Sequence, residues 1–179
     1  MTETVTSVLS PVYLIRSYVW EVLKKNDPNT WDESKYGGIV PIVPLSEEPE
    51  LDSYTGPHIV YGYALGRTNE LHVRKSATMT FVVYDQNFRR LTRTINILHT
   101  ALGRDDETAA DINRYTTKYQ SIQDDKTVNP YHGLAFGYVS LGYAEGGTPE
   151  ESEGGRQSAL MSISFEYYVD YDVVTDVSS

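Results

Sequence analysis

The chain has 179 residues, no cysteine and a formal net charge of −10. Its length suits one domain that buries a core without metal, and the lack of cysteine excludes disulfides, thiolate nucleophiles and cysteine-ligated zinc. The acidity disfavours a dedicated nucleic-acid binder, because affinity for phosphate depends on lysine and arginine. No apolar stretch approaches the roughly 20 residues that span a bilayer. We expect one soluble domain over residues 1–179, with loose ends at 1–8 and 174–179 and no membrane contact.

The first predicted element is an amphipathic helix that begins near Ser10 and Pro11. Serine is a favoured N-cap, and proline fits the first helical position. Asn26-Asp27-Pro28-Asn29 ends the helix, since proline cannot continue its hydrogen-bond ladder. The apolar stripe of this helix consists of Val12, Ile15, Val19, Val22 and Leu23. An apolar run with two prolines follows at residues 39–45, which predicts an edge strand or an extended arm.

Two strands are predicted next, at residues 59–65 and 73–85. Both alternate with the two-residue period of a strand, and the second is rich in β-branched and aromatic residues. Gly62 and Gly66 share one side of the first strand, which predicts that another backbone or element lies close against them. Asp85 ends the second strand and is a candidate cap for the helix that follows.

The strongest helical pattern of the sequence follows and ends at Gly103. Its apolar stripe is Phe88, Leu91, Ile95, Leu98 and Leu102. A second helix is predicted over residues 107–120. Two strands close the chain, one with Leu134, Phe136 and Tyr138 on the same side and one that alternates over residues 160–171. An acidic connection, residues 145–155, joins them in a long hairpin.

This order of elements predicts the fold class. One strand face inward and one toward solvent is typical of antiparallel sheets. We therefore expect an α+β fold, with a mainly antiparallel twisted sheet of about four to five strands and helices packed on one face.

Residues for catalysis or metal binding are scarce in the sequence. None of the four histidines has a second histidine or carboxylate at the spacing of a helical metal site; they are His58, His72, His99 and His132. His99 lies beside an apolar stripe and is expected to be a partly buried structural residue. The acidic clusters fall in predicted loops, where solvation explains them. We expect no catalytic residue, no cofactor and no metal.

Three groups of residues are candidates for contacts with other chains. Arg89, Arg90 and Arg93 form the only basic concentration, on the predicted outer side of a helix, where arginine could pair with an acidic neighbour. Tyr61 and Tyr63 are candidates because tyrosine suits interfaces, although strands are also rich in tyrosine. The acidic loops are candidate lumen or docking segments; their residues are Glu47, Glu48, Glu50, Asp52, Glu150, Glu151 and Glu153.

The whole pattern resembles a known family. The elements that carry the likeness are the N-terminal helix, the proline-broken segment 40–44, the strand 57–63, the strand 77–85 running into a helix, and the terminal hairpin with Met161-Ser162-Ile163-Ser164-Phe165-Glu166-Tyr167. From Ser10 to Tyr171 this resembles the tail terminator (tail-completion) proteins of long-tailed bacteriophages and their relatives in the neck. The likeness is one of pattern, without a short diagnostic motif.

The resemblance implies a structural role in the virion rather than catalysis. It implies a hexameric ring that caps the head-proximal end of the tail tube at the tail–neck junction and lets genomic DNA pass without adhesion. The implied partners are further copies of the chain, the tail tube protein, the neck and head connector proteins, and the sheath protein where there is one. The acidic loops are longer than the family pattern requires.

Three alternatives remain open on sequence alone. The nearest is a neck or head-completion protein of the same connector. A different class is a small-ligand-binding domain or a hydrolase, with Tyr61 and Tyr63 beside His58 and His72 as a candidate pocket lining. A DNA-binding adaptor is the third, and the net charge disfavours it.

Overall fold

A computed structural model describes residues 11–46, 56–66, 74–122, 134–145 and 156–169. The described part contains three α-helices, one 3₁₀ turn and five strands. In chain order they are α1 (Pro11–Asn26), the 3₁₀ turn (Glu33–Tyr36), β1 (Ile42–Pro44), β2 (His58–Leu65), β3 (Arg74–Asp85), α2 (Phe88–Leu102), α3 (Asp106–Ile122), β4 (Leu134–Glu145) and β5 (Gln157–Val169). The predicted loose ends, residues 1–8 and 174–179, lie outside it.

The five strands form one sheet in the order β1-β2-β3-β5-β4. β1 is parallel to β2, and the other three pairs are antiparallel. The predicted α+β class, with a mainly antiparallel sheet and helices packed on it, is confirmed. The proline-broken segment is an edge strand of three residues that ends at Pro44, as expected for a residue that has no amide hydrogen to donate.

The helices pack on one face of the sheet, which we call the helix face. Its residues alternate along β3 and β5: Ala77, Met79, Phe81, Val83, Ala159, Met161, Ile163, Phe165 and Tyr167 are all buried. The Phe165 ring lies between the rings of Phe136 and Tyr167, with centroids 5.7 and 6.0 Å away. Close packing of these rings with the apolar side of α2 and α3 makes the main core.

The helix α1 is buried more completely than its predicted stripe requires. Val22 of that stripe is only partly buried, but Leu14, Tyr18 and Trp20 are buried besides its other members. The ring of Trp20 meets the ring of Trp31 edge-on at 6.5 Å, in the segment that follows the helix. A second apolar layer therefore covers α1 on the side of the 3₁₀ turn.

Three expectations about individual side chains were wrong. Phe88 is half exposed at the first residue of α2 rather than part of its core stripe, because the core layer beneath the helix begins with Leu91. Gly62 has open space where a Cβ would stand, whereas Gly66 would place one 2.6 Å from Ser76 Oγ. Tyr138 does not share a face with Phe136, because a bulge between them shifts the register of β4.

Candidate interaction surfaces

The three arginines of α2 have different environments. Arg90 donates from Nε and Nη2 to the two carboxylate oxygens of Asp85, each at 2.7 Å. The Asp85 side chain is fully buried and also accepts the backbone N–H of Asn87, the N-cap of the helix. This forked ion pair raises the pKa of Arg90 above its usual value. Arg90 therefore holds α2 to the end of β3. The helix is capped by Asn87, whose side chain accepts the Arg90 amide hydrogen at 3.1 Å, so the expectation that Asp85 is the cap was wrong.

Arg89 and Arg93 are exposed on the outer side of α2, as predicted. Arg93 Nε lies 3.8 Å from the carboxylate of Asp27, and its guanidinium donates to the Asn26 carbonyl at 3.3 Å. Arg89 has neither a hydrogen bond nor an ion pair with the described residues. Of the three predicted contact arginines, these two have the exposure that a contact with another chain requires.

The two candidate tyrosines of β2 differ in how deeply they are buried. Tyr61 is only 3% exposed and belongs to the core, whereas Tyr63 is 58% exposed. His58 lies on the opposite side of β2 from Tyr61, stacked on the ring of Tyr84. Tyr61 and His58 thus do not line a common pocket, and His72 lies outside the described residues.

A groove of about 1310 Å³ runs along the outer side of the helical layer. One stripe of each helix lines it at helical spacing, including Val22 on α1 and Ile97 and Ala101 on α2. Tyr18 and Tyr115 meet edge-on at 6.2 Å and close its far end. Its floor is therefore apolar, although it lies outside the main core.

The rim of this groove carries more positive than negative charge. Four cations line it, namely Lys25, Arg89, Arg93 and Arg104. The two acids that line it are already paired: Glu21 with Lys24 at 2.9 Å, and Asp111 with Arg104 and Arg114. Neither Lys25 nor Arg89 has an ion-pair partner in the described chain. The positive end of the groove is where α1 ends and α2 begins.

The second face of the sheet carries no helix in the part of the chain that the structure describes, and we call it the open face. Short polar side chains occupy its centre: Thr78, Thr80, Ser140, Ser162 and Ser164. Tyr138 and Tyr168, both more than a third exposed, stand at one end. Val43, Val60 and Tyr84 form a small apolar cluster at the other.

The edge strand β4 is protected at one position by a side chain. Asn113 of α3 donates to the Phe136 carbonyl and accepts the Phe136 amide hydrogen, both at 2.8 Å. The carboxamide thus replaces a neighbouring strand at that residue. Beyond the bulge that follows, β4 remains the outermost strand of the described sheet.

Several sequence-based candidates cannot be placed. All seven predicted acidic loop residues lie outside the described segments, as does His132.

His99 is exposed on the last turn of α2 rather than partly buried. No metal-binding group of three His, Asp or Glu occurs among the described residues, and no described helix is long and apolar enough to cross a membrane.

The sequence analysis missed the groove and the cap on β4. Lys25, Arg104 and Tyr115 come from three different segments, so only the packing of the helices brings them together. Asn113 carries no sequence signal for its role, because an exposed asparagine on a helix is common. For the groove, the sequence did carry one signal, which is that polar residues of α2 recur three and four positions apart.

No family model matches the chain, and no curated protein matches it either.

Proposed function

We propose that this chain is a structural virion protein, not an enzyme, whose copies form a ring at the tail–neck junction of a long-tailed bacteriophage. In this role it caps the head-proximal end of the tail tube and joins it to the neck and head connector, while DNA passes through. Its partners would be its own copies, the tube protein and the connector proteins, with the sheath protein as a further candidate. The closest alternative is a neck or head-completion protein of the same connector.

The observation that carries the proposal is the one-sided packing of the sheet. All three described helices lie on one face, so no described helix covers the open face, and no described strand pairs with the outer edges of β1 and β4. Edge strands readily pair with a further chain unless they are blocked. The order of elements in this fold is also the order on which the resemblance to tail terminators rests.

The charge of the chain supports the same proposal. A ring subunit with net charge −10 presents a surface that repels the phosphate backbone. DNA could then slide through the ring without adhesion, whereas a DNA clamp would need the opposite charge.

The test is the native mass of the purified protein and its behaviour with tail tubes. We expect light scattering and native mass spectrometry to show a closed oligomer, with about six times the 20.2 kDa of the chain. Mixed with tubes assembled from the tube protein of the same virus, it should bind one tube end and stop elongation, as seen by electron microscopy. Binding to purified empty heads instead of tubes would favour the neck or head-completion role. A monomer that binds neither particle would contradict the proposal.

A further inference from the structure

The groove on the helical layer has the chemistry of a binding site for an acidic segment that also carries apolar side chains. Its apolar floor includes Val22 and Ile97, and its rim holds cations that no described acid neutralises. A floor of this kind favours aliphatic side chains through burial of their area. Unpaired exposed cations favour carboxylates and set their position along the groove.

The chain itself contains a segment with this composition. Residues 45–52 read Leu45-Ser46-Glu47-Glu48-Pro49-Glu50-Leu51-Asp52, with four acids, two leucines and no cation. The acidic stretch at residues 146–155 has no leucine or other large apolar residue, so it matches the rim but not the floor. Leu45, the leucine of this segment that the structure describes, is 62% exposed at the outer edge of the sheet.

We infer that the groove binds residues 45–52 of a second copy of this chain. Glu47, Glu48 and Glu50 would meet the basic end at Lys25, Arg89 and Arg93. Leu51 would cover the apolar floor.

The length of the groove agrees with the length of the acidic segment. The stripe of α2 from Arg89 to Ala101 spans about 18 Å, at about 1.5 Å per helical residue. Six extended residues cover about 20 Å at about 3.3 Å each. The part of the segment from Glu47 to Asp52 therefore matches the groove along its length.

This contact would be head-to-tail, since the groove lies on the helical layer and the segment leaves from the β1 edge. Head-to-tail contacts close into rings or continue as filaments. The inference thus deepens the proposed function and rests on it for the ring, but the binding of the segment can be tested separately.

The first experiment measures binding of a fluorescein-labelled synthetic peptide of residues 44–53 to the full chain by fluorescence anisotropy at low salt. We expect saturable binding that weakens as salt rises, because exposed charges are screened. Two control peptides separate the contribution of the apolar side chains from that of the carboxylates. One has both leucines replaced by serine, and the other has the four acids replaced by their amides. Both should bind more weakly than the parent peptide.

The matched variants reverse charge inside and outside the groove. The double substitution Lys25→Glu with Arg89→Glu should weaken binding of the peptide by about tenfold, since two attractive contacts become repulsive. Both residues are exposed, so the fold should persist, and the thermal midpoint checks this. Lys35→Glu, on the exposed 3₁₀ turn outside the groove, should leave binding unchanged. A peptide with Glu47 and Glu48 replaced by lysine should regain affinity for the double variant.

The outcomes distinguish this inference from the ring proposal. Equal weakening by the groove variant and by Lys35→Glu would overturn the inference, while the native mass still decides the ring. A further variant carries a Gly-Ser repeat at residues 47–52, which leaves empty any groove that copies of the unaltered chain would fill. If the parent peptide binds neither this variant nor the unaltered chain, the inference is also overturned. If only this variant binds the peptide, and the unaltered chain is a monomer, the groove holds its own chain's segment and the second copy is refuted. If the groove variant also lowers the assembled fraction, the inference stands.

Discussion

The two faces of the sheet are made by the same strands but differ in the polarity and the burial of their side chains. On the helix face, β3 and β5 place Met79, Phe81, Ile163 and Phe165, all of them buried. At the centre of the open face the alternate residues of these strands are Thr78, Thr80, Ser162 and Ser164, which are half-buried or exposed. The two-residue period of a strand separates these sets without any change of backbone. One face is thus specified for folding, whereas no described helix covers the other.

This difference teaches that stability and assembly can be changed separately in this chain. Substitutions on the helix face remove core contacts, so they should change the free energy of unfolding. Truncation of the threonines and serines at the centre of the open face removes little buried area, so the effect of these substitutions should appear in assembly rather than in the free energy of unfolding.

The largest expected effect is that of Phe165→Ala on the helix face. Phe165 is 1% exposed and packs against Phe136 and Tyr167. Its truncation should lower the free energy of unfolding by about 3–5 kcal/mol, because a cavity remains in a close-packed core. Urea denaturation followed by circular dichroism measures the change.

The control for that variant is the preceding residue. Ser164 is exposed on the open face, so Ser164→Ala should change the free energy of unfolding by no more than about 0.5 kcal/mol. Similar losses for the two variants would mean that the open face is covered in the folded chain. The distinction between the faces would then fail.

The fold was predictable from sequence because this alternation is so regular. The buried and exposed positions of β5 follow the pattern of Met161 to Tyr167 residue by residue, and the stripe of α2 follows Leu91 to Leu102. The errors arise where local rules compete. The bulge after Phe136 reverses the side of Tyr138, and a bulge cannot be read from alternation alone because it breaks that alternation.

The second prediction concerns the edge strand β4, where a side chain of α3 bonds to the strand backbone. Asn113→Ala removes both hydrogen bonds to the Phe136 backbone, which lies in the core. It should lower the free energy of unfolding by about 2–3 kcal/mol, because a buried amide hydrogen and a buried carbonyl lose their partner. Amide exchange followed by mass spectrometry should show faster exchange around residue 136. Unchanged exchange there would show that another group protects this edge.

The candidate surfaces were less predictable than the fold, and the arginines show why. Arg89, Arg90 and Arg93 look alike in sequence, yet only Arg90 reaches the buried carboxylate of Asp85. Which arginine pairs depends on the turn between β3 and α2, where Asp85 accepts the Asn87 amide hydrogen and Asn87 caps the helix, and helical periodicity does not specify that turn. The groove depends in the same way on the angle between α1 and α2, which no local pattern specifies.

The smallest effects should come from two glycines on the open side of β2, and they should have opposite signs. A Cβ at Gly66 would lie 2.6 Å from Ser76 Oγ and 2.8 Å from the Ser76 carbonyl oxygen, to which the Gly66 amide already donates at 2.7 Å. Gly66→Ala should therefore lower the free energy of unfolding by about 1–2 kcal/mol. At Gly62 no heavy atom lies within 4 Å of the added Cβ. Gly62→Ala should raise the free energy of unfolding by about 0.5–1 kcal/mol, since it restricts the unfolded chain without a clash. Urea midpoints of the two variants, measured side by side, give the signs directly. A loss at Gly62 equal to that at Gly66 would mean that something lies against the open face at the centre of β2, as the glycine pattern in the sequence first indicated.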